Sequence, residues 1–161
     1  DWSMDAIIVN LQGDEPLMPV ANLEQVSALL GRYKHASIAT LYEPIVSEEQ
    51  FVDPSVVKVV GDASGRAQYF SRAPIPHVRD PMGETCPHDV RRHIGLYAYR
   101  VSYLEDFASQ PVAPYERLES LEQLRALHCG HEIRIVQACE VVPAGVDTPA
   151  DLEAVRALMA T

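Results

Sequence analysis

The sequence is short of basic charge. Thirteen Lys and Arg side chains stand against 23 Asp and Glu, a formal net charge of −10. A general binder of nucleic acid or of an anionic membrane needs a basic face, so this balance argues against both. It leaves room for a nucleotide site, because a local Arg cluster or a metal ion can hold phosphates against the overall sign. Cysteine is scarce and odd in number. Cys86, Cys129 and Cys139 form no CxxC pair, which argues against a disulfide framework and for a reducing compartment, the cytoplasm. No apolar run approaches the length of a membrane span, and no signal-peptide pattern is found. The signatures GxxxxGK[ST], GxGxxG and GxSxG are missing too. Cys86, His88 and His93 cluster, as do His128, Cys129 and His131, yet their spacings match no common zinc motif.

What is present suffices for a core. The chain is 47% hydrophobic over 161 residues, which favours one domain over 1–161. "AIIVNL" (Ala6 to Leu11) is a continuous apolar run, as expected of a strand covered on both faces. It begins a few residues from Asp1, either as a natural start or as the surviving part of a longer chain. Leu23, Val26, Leu29 and Leu30 repeat at helical spacing, with Gly31 as a stop signal. Ala36 to Tyr42 reads as a strand, and Ser47 to Phe51 as a short capped helix ended by Pro54. Val56 to Val60 and Ala67 to Ser71 flank "GDASG" as a hairpin. Prolines 74, 76, 81 and 87 make 73–92 a long loop. His93 to Val101 and Glu132 to Val141 read as strands. Leu118, Leu121, Leu124 and Leu127 predict one helix, with Glu119, Glu122 and Gln123 on its other side. Leu152, Val155, Leu158 and Met159 predict a last one. The alternation predicts an α/β layered fold: a mixed, mostly parallel sheet flanked by helices, with a β-hairpin portion.

Two acids stand out. Ligands of open α/β sheets sit beyond the carboxyl ends of the strands, and Asp14, in "VNLQGDEPLMP", follows such an end. Asp147, in "GVDTPADLEAV", lies just outside a helix whose start is already supplied by Thr148 as N-cap, Pro149 and Asp151. Each has an ordinary reading as a surface loop acid. Together they would suffice for Mg²⁺, which takes one or two carboxylates and fills its other positions with water and phosphate oxygens. Arg72, His77, Arg79, Arg91, Arg92 and His93 give the proline-rich loop a local basic density that suits an anion, or that pairs with Asp80, Glu84 and Asp89.

"VNLQGDEP", "YFSRAPIP", "RHIGLYAYR", "LESLEQLR" and "GVDTPADLEAVR" occur in this order. Together they closely resemble the 3-deoxy-manno-octulosonate cytidylyltransferases, or CMP-Kdo synthetases, over essentially the whole chain. The resemblance implies a Rossmann-like nucleotidyltransferase fold, homodimers and a Mg²⁺-dependent reaction. CTP and Kdo would give CMP-Kdo and pyrophosphate, for lipopolysaccharide. It implies metal-binding roles for Asp14 and Asp147. It places Gln12, Arg72, His93, Tyr97 and Glu116 at the sugar site. It also implies an upstream Gly- and Arg-containing loop that grips the triphosphate. That loop does not occur in this sequence, so the chain alone is expected to lack turnover. A cytidylyltransferase for another sugar acid such as sialic acid, and an inactive copy that keeps the sugar pocket or dimer surface, are the alternatives.

Overall fold

The structure is a computed structural model that describes residues 2–79, 89–143, 145–146 and 148–159. Twelve elements follow in order: β1 (Ile7–Asn10), α1 (Val20–Arg32), β2 (Ile38–Pro44), α2 (Glu48–Val52), β3 (Lys58–Gly61), β4 (Ala67–Ser71), β5 (Arg91–Arg100), α3 (Val101–Ser109), α4 (Pro114–Glu119), α5 (Gln123–His128), β6 (Ile133–Gln137) and α6 (Pro149–Met159).

The strands form one sheet in the order β4-β3-β5-β2-β6, with β1 also paired to β5. β5 is the spine. β2 runs along one side of it, from Ile38 opposite Tyr99 to Pro44 opposite Arg91. Its other side is shared by β1, opposite residues 97–100, and β3, opposite Arg92. The expectation of a mixed α/β sheet flanked by helices holds, and its mostly parallel pairing does not. Among the described strands only β2 with β6 pairs in parallel. β1, β2, β3 and β6 all point one way, but β5 lies between three of them and points the other. One reversed central strand therefore turns parallel strand directions into antiparallel ladders.

Alternation along β2 and β5 builds two cores. Ala39, Leu41, Ile94, Leu96 and Ala98 face α1 and pack on its Val26 and Leu30. Ile38 and Tyr97 face the other way, onto Tyr103 of α3 and Leu124 and Ala126 of α5. Between Thr40 and Leu41 the register jumps: Thr40 opposes Tyr97, whereas Leu41 opposes Ile94. Gly95 and Leu96 are thus extra residues in β5, a bulge.

Local chemistry explains the helix ends. Ser47 caps α2, its hydroxyl accepting from Gln50 N at 3.2 Å. Gly31 does not stop α1, which runs to Arg32. Its C-terminus is closed from β5 by Arg100, a buried guanidinium that donates to the carbonyls of Leu30, Tyr33 and Ala36. The single helix expected over the leucine stripe is two. Ser120 takes a left-handed backbone (φ 53°) and separates α4 from α5. Leu118 consequently falls outside the core, 86% exposed, while Leu124 is fully buried. α3, with no turn residue between it and β5, carries no signal of its own start. The strand expected to Val141 ends at Gln137.

Candidate active site

Two turns follow β1. Glu15 N donates to the Gln12 carbonyl (3.2 Å) and Met18 N to the Glu15 carbonyl (3.3 Å). They hold Gln12, Gly13 and Asp14 exposed beyond the carboxyl end of β1, before α1 begins. The segment after β6 is led back to this point by three anchors. Asn22, fully buried in α1, donates from Nδ2 to the Glu140 carbonyl (2.9 Å) and accepts at Oδ1 from Glu140 N (3.1 Å) and Cys139 Sγ (3.2 Å). Glu43 of β2 accepts Val142 N at Oε1 (2.8 Å), and its other oxygen takes Arg92 Nε (2.9 Å). Val146 N then donates to the Asp14 carbonyl at 2.8 Å. Gly145 permits that approach, since a Cβ there would stand 3.1 Å from the Asp14 carbonyl oxygen.

Asp147 itself lies outside the described residues, as do Asp80, Glu84, Cys86 and His88. Its chain neighbour, however, bonds directly to the backbone of Asp14. An exposed carboxylate at a strand end, with a second aspartate following the residue bonded to it, fits the oxygen donor set of a hard divalent cation. Among the described residues no group of three or more His, Cys, Asp or Glu side chains is arranged to hold a metal. His128 and His131 are instead engaged with Tyr115 and Ser37, respectively.

The sugar-site candidates divide into two sets. Gln12, His93 and Tyr97 are brought together around Gly95. Gln12 Cγ lies 3.9 Å from where a Cβ on Gly95 would stand, and the His93 and Tyr97 rings are 5.1 Å apart. Phe70 of β4 meets His93 edge-on, also at 5.1 Å. Burial among these rings pushes the His93 imidazole down to about 3, so it is neutral at physiological pH. The same burial raises the Tyr97 phenol, with the neighbouring Tyr99 adding to it.

Arg72 and Glu116 are tied into the scaffold. Arg72 donates from Nε to the Glu119 carbonyl (2.7 Å) and from Nη1 to the Pro54 carbonyl (3.0 Å). It stands at the end of β4, with β3 between it and β5. Glu116 is buried at the start of α4. Its Oε2 accepts the backbone N–H of Ala113 and Nε of Arg125, each at 2.9 Å. The Arg125 hydrogen bonds hold its carboxyl below the usual range.

The sequence reading passed over several residues here. Lys58, fully buried, donates to the carbonyls of Asp53 (2.8 Å) and Arg72 (2.7 Å) and braces the backbone on which Arg72 stands. A cleft of about 150 Å³ opens between β1 and α3, lined by Asn10, Tyr99, Tyr103, Glu122 and Gln123. Glu122 and Gln123 read as the solvent side of one long helix. Only Ser120, a residue that favours helix ends, signalled a break there.

With the geometry in place, comparison with known proteins assigns the class. The chain belongs to the cytidylyltransferase family, whose model matches residues 1–133. Within it, the chain is 52% identical over 160 residues to the 3-deoxy-manno-octulosonate cytidylyltransferase of Saccharophagus degradans. It is 51% identical over 161 residues to that of Cellvibrio japonicus. The match covers 95% of the chain and 63% of the first relative, so the chain spans less than two thirds of that protein's length. A solved structure of CMP:2-keto-3-deoxy-manno-octonic acid synthetase complexed with CTP is similar with a TM-score of 0.85. That match has 41% identity, covering 96% of the chain and 61% of the solved one.

Proposed function

We propose that this chain forms the sugar-acid and metal-binding part of an enzyme that transfers CMP from CTP to Kdo, releasing pyrophosphate. One observation carries the reading: the Val146–Asp14 hydrogen bond joins the two acid-bearing segments beyond β1. The names of the 52%- and 51%-identical relatives supply the substrates. Asp14 and Asp147 would hold Mg²⁺, which when bound would neutralise phosphate charge and favour ionisation of the attacking hydroxyl. Gln12, His93 and Tyr97 form the floor on which the sugar is set. Positioning and electrostatics carry most of such a transfer. Arg72, at the end of β4 and two strands from β5, would supply a cation for the sugar carboxylate. Glu116 holds the α4–α5 corner behind it. The enzyme works as a homodimer in the cytoplasm, on the path to lipopolysaccharide. Among the described residues no helix is long and apolar enough to cross a membrane.

Pyrophosphate release from CTP tests this, measured with Kdo, with sialic acid and with neither. It is measured on the chain fused to the upstream third of a relative. Kdo alone should support turnover. Asp14→Asn should lower it by about 100-fold or more, because a metal supplies several kcal/mol of charge stabilisation. The thermal midpoint should stay unchanged, since the Asp14 side chain is exposed. Turnover with sialic acid, or near-normal turnover in Asp14→Asn at limiting Mg²⁺, would refute the reading.

A further inference from the structure

The bulge in β5 leaves two carbonyls, those of Ile94 and Leu96, turned toward one side chain of β2. Thr40 Oγ1 lies 2.9 Å from the first and 2.8 Å from the second. Its third neighbour is His93 Nε2, at 2.9 Å. Thr40 is fully buried, so no solvent molecule is needed to complete this count.

A threonine hydroxyl has one proton. Carbonyl oxygens only accept, so that proton belongs to them. Were it turned to His93 instead, two carbonyls would face bare oxygen lone pairs at hydrogen-bond distance, which is costly in a buried site. His93 Nε2 must therefore donate to Thr40. In a neutral imidazole one nitrogen carries the proton and the other is an acceptor. The ring is neutral, as burial among Phe70 and Tyr97 requires. Nδ1 thus carries a lone pair, and among the described residues it has no hydrogen-bond partner.

We propose that Thr40 is a positioning residue for His93: it fixes the ring as the Nε2–H tautomer and turns Nδ1 into an acceptor for a hydroxyl of the bound sugar, not a partner for its carboxylate. The ligand half of this rests on the sugar-acid reading above; the tautomer half does not. A carboxylate offers only lone pairs and would be repelled by Nδ1, so the carboxylate contact falls to other groups and His93 reads the polyhydroxyl part of the substrate. That makes it a point of discrimination against small keto acids lacking hydroxyls.

Long-range proton–nitrogen spectra of the chain labelled with ¹⁵N-histidine test both halves at neutral pH, with His93→Gln identifying the resonances. The free protein should show a protonated Nε2 and an unprotonated Nδ1. Thr40→Val, near-isosteric but without the acceptor, should lose the single tautomer, and Thr40→Ser should keep it. An Nδ1–H ring in the unsubstituted protein, or a Thr40→Val ring unchanged from it, would overturn the proposal even if Thr40→Val folds poorly. Kdo should then shift Nδ1 and leave Nε2 protonated, while pyruvate, a keto acid without hydroxyls, should leave Nδ1 unmoved. Protonation of the ring by either acid would refute the hydroxyl assignment. A correct tautomer with Nδ1 unmoved while the backbone amides of Gln12 and Tyr97, read in uniformly ¹⁵N-labelled chain, shift with Kdo would refute the ligand half alone, and no shift at any of these groups would refute the sugar-acid reading.

Discussion

Glu116 shows how an acid matched to a sugar pocket by resemblance can be held by the scaffold. Its carboxylate takes Ala113 N–H and the Arg125 fork, with the two side chains only 7% and 12% exposed. Removing one partner of a buried pair strands the other charge. Glu116→Gln should therefore cost about 3 kcal/mol at pH 7. The pH dependence has a definite sign. The folded carboxyl is held below the usual range, so the stabilisation is present above the ordinary carboxylate pKa and is lost as pH falls through the folded value. Urea melts of the two proteins should differ at pH 7 and converge toward pH 3. A constant difference across that range would show that the charge is not the source. Lys58 belongs to the same scale. Nothing in "SVVKVVG" marks its ammonium as buried, because the carbonyls that receive it come from Asp53 and Arg72.

Among the elements, the hold of α1 on the segment after β6 matters most to the site. Asn22→Ala removes three hydrogen bonds to Cys139 and Glu140, of which the amide partners cost about 2 kcal/mol to leave unmade. The expected result is faster hydrogen exchange at Glu140, Val142 and Val146 with core amides of β5 unchanged. Protection at Val146 equal to the unsubstituted protein would show that the segment holds itself against Asp14. Elements with a clear period or cap were legible in advance: β1, α1, the hairpin, and α2 with its Ser47 cap. α3 was not, since it follows β5 without punctuation. The leucine stripe crossed a break that one left-handed residue sets. Sheet order is non-local, and a reversed central strand leaves no mark in an α/β alternation. Asp14 could be singled out from its own turn, and Gln12 only through the resemblance its segment carries. Thr40, Glu122 and Gln123 acquire their places from a bulge and a helix break in the folded chain.

At the scale of the molecule, a net charge of −10 opposes indiscriminate aggregation while several apolar groups face solvent. Trp2, Met4 and Leu11, around β1, are 76%, 53% and 43% exposed. Among the described residues β1 is hydrogen-bonded only to β5, which leaves an open edge of the kind that pairs with other chains. The net charge of −10 opposes this at pH 7, and the sequence pI is about 4.9. Light scattering should therefore be low at pH 8 and rise toward pH 5 as repulsion fades. Trp2, the sole tryptophan, should shift its emission to the blue in step. Scattering that rises without a change in Trp2 emission would place the sticky surface elsewhere.

The bulge in β5 also sets a rule for lengths. Between the pairs Thr40–Tyr97 and Leu41–Ile94, one strand advances one residue and the other three. The surplus is even, so the phase of the side chains survives it, with Ile94 and Ala98 still in one core and His93 and Tyr97 outside it. Deleting both Gly95 and Leu96 would preserve that phase at the loss of the Leu96 carbonyl, one of the two Thr40 serves. Deleting either one would turn everything before it inside out, driving His93 toward α1 and Arg92 and Ile94 away from it. Insertions and deletions at this point are therefore tolerable to the fold only in twos.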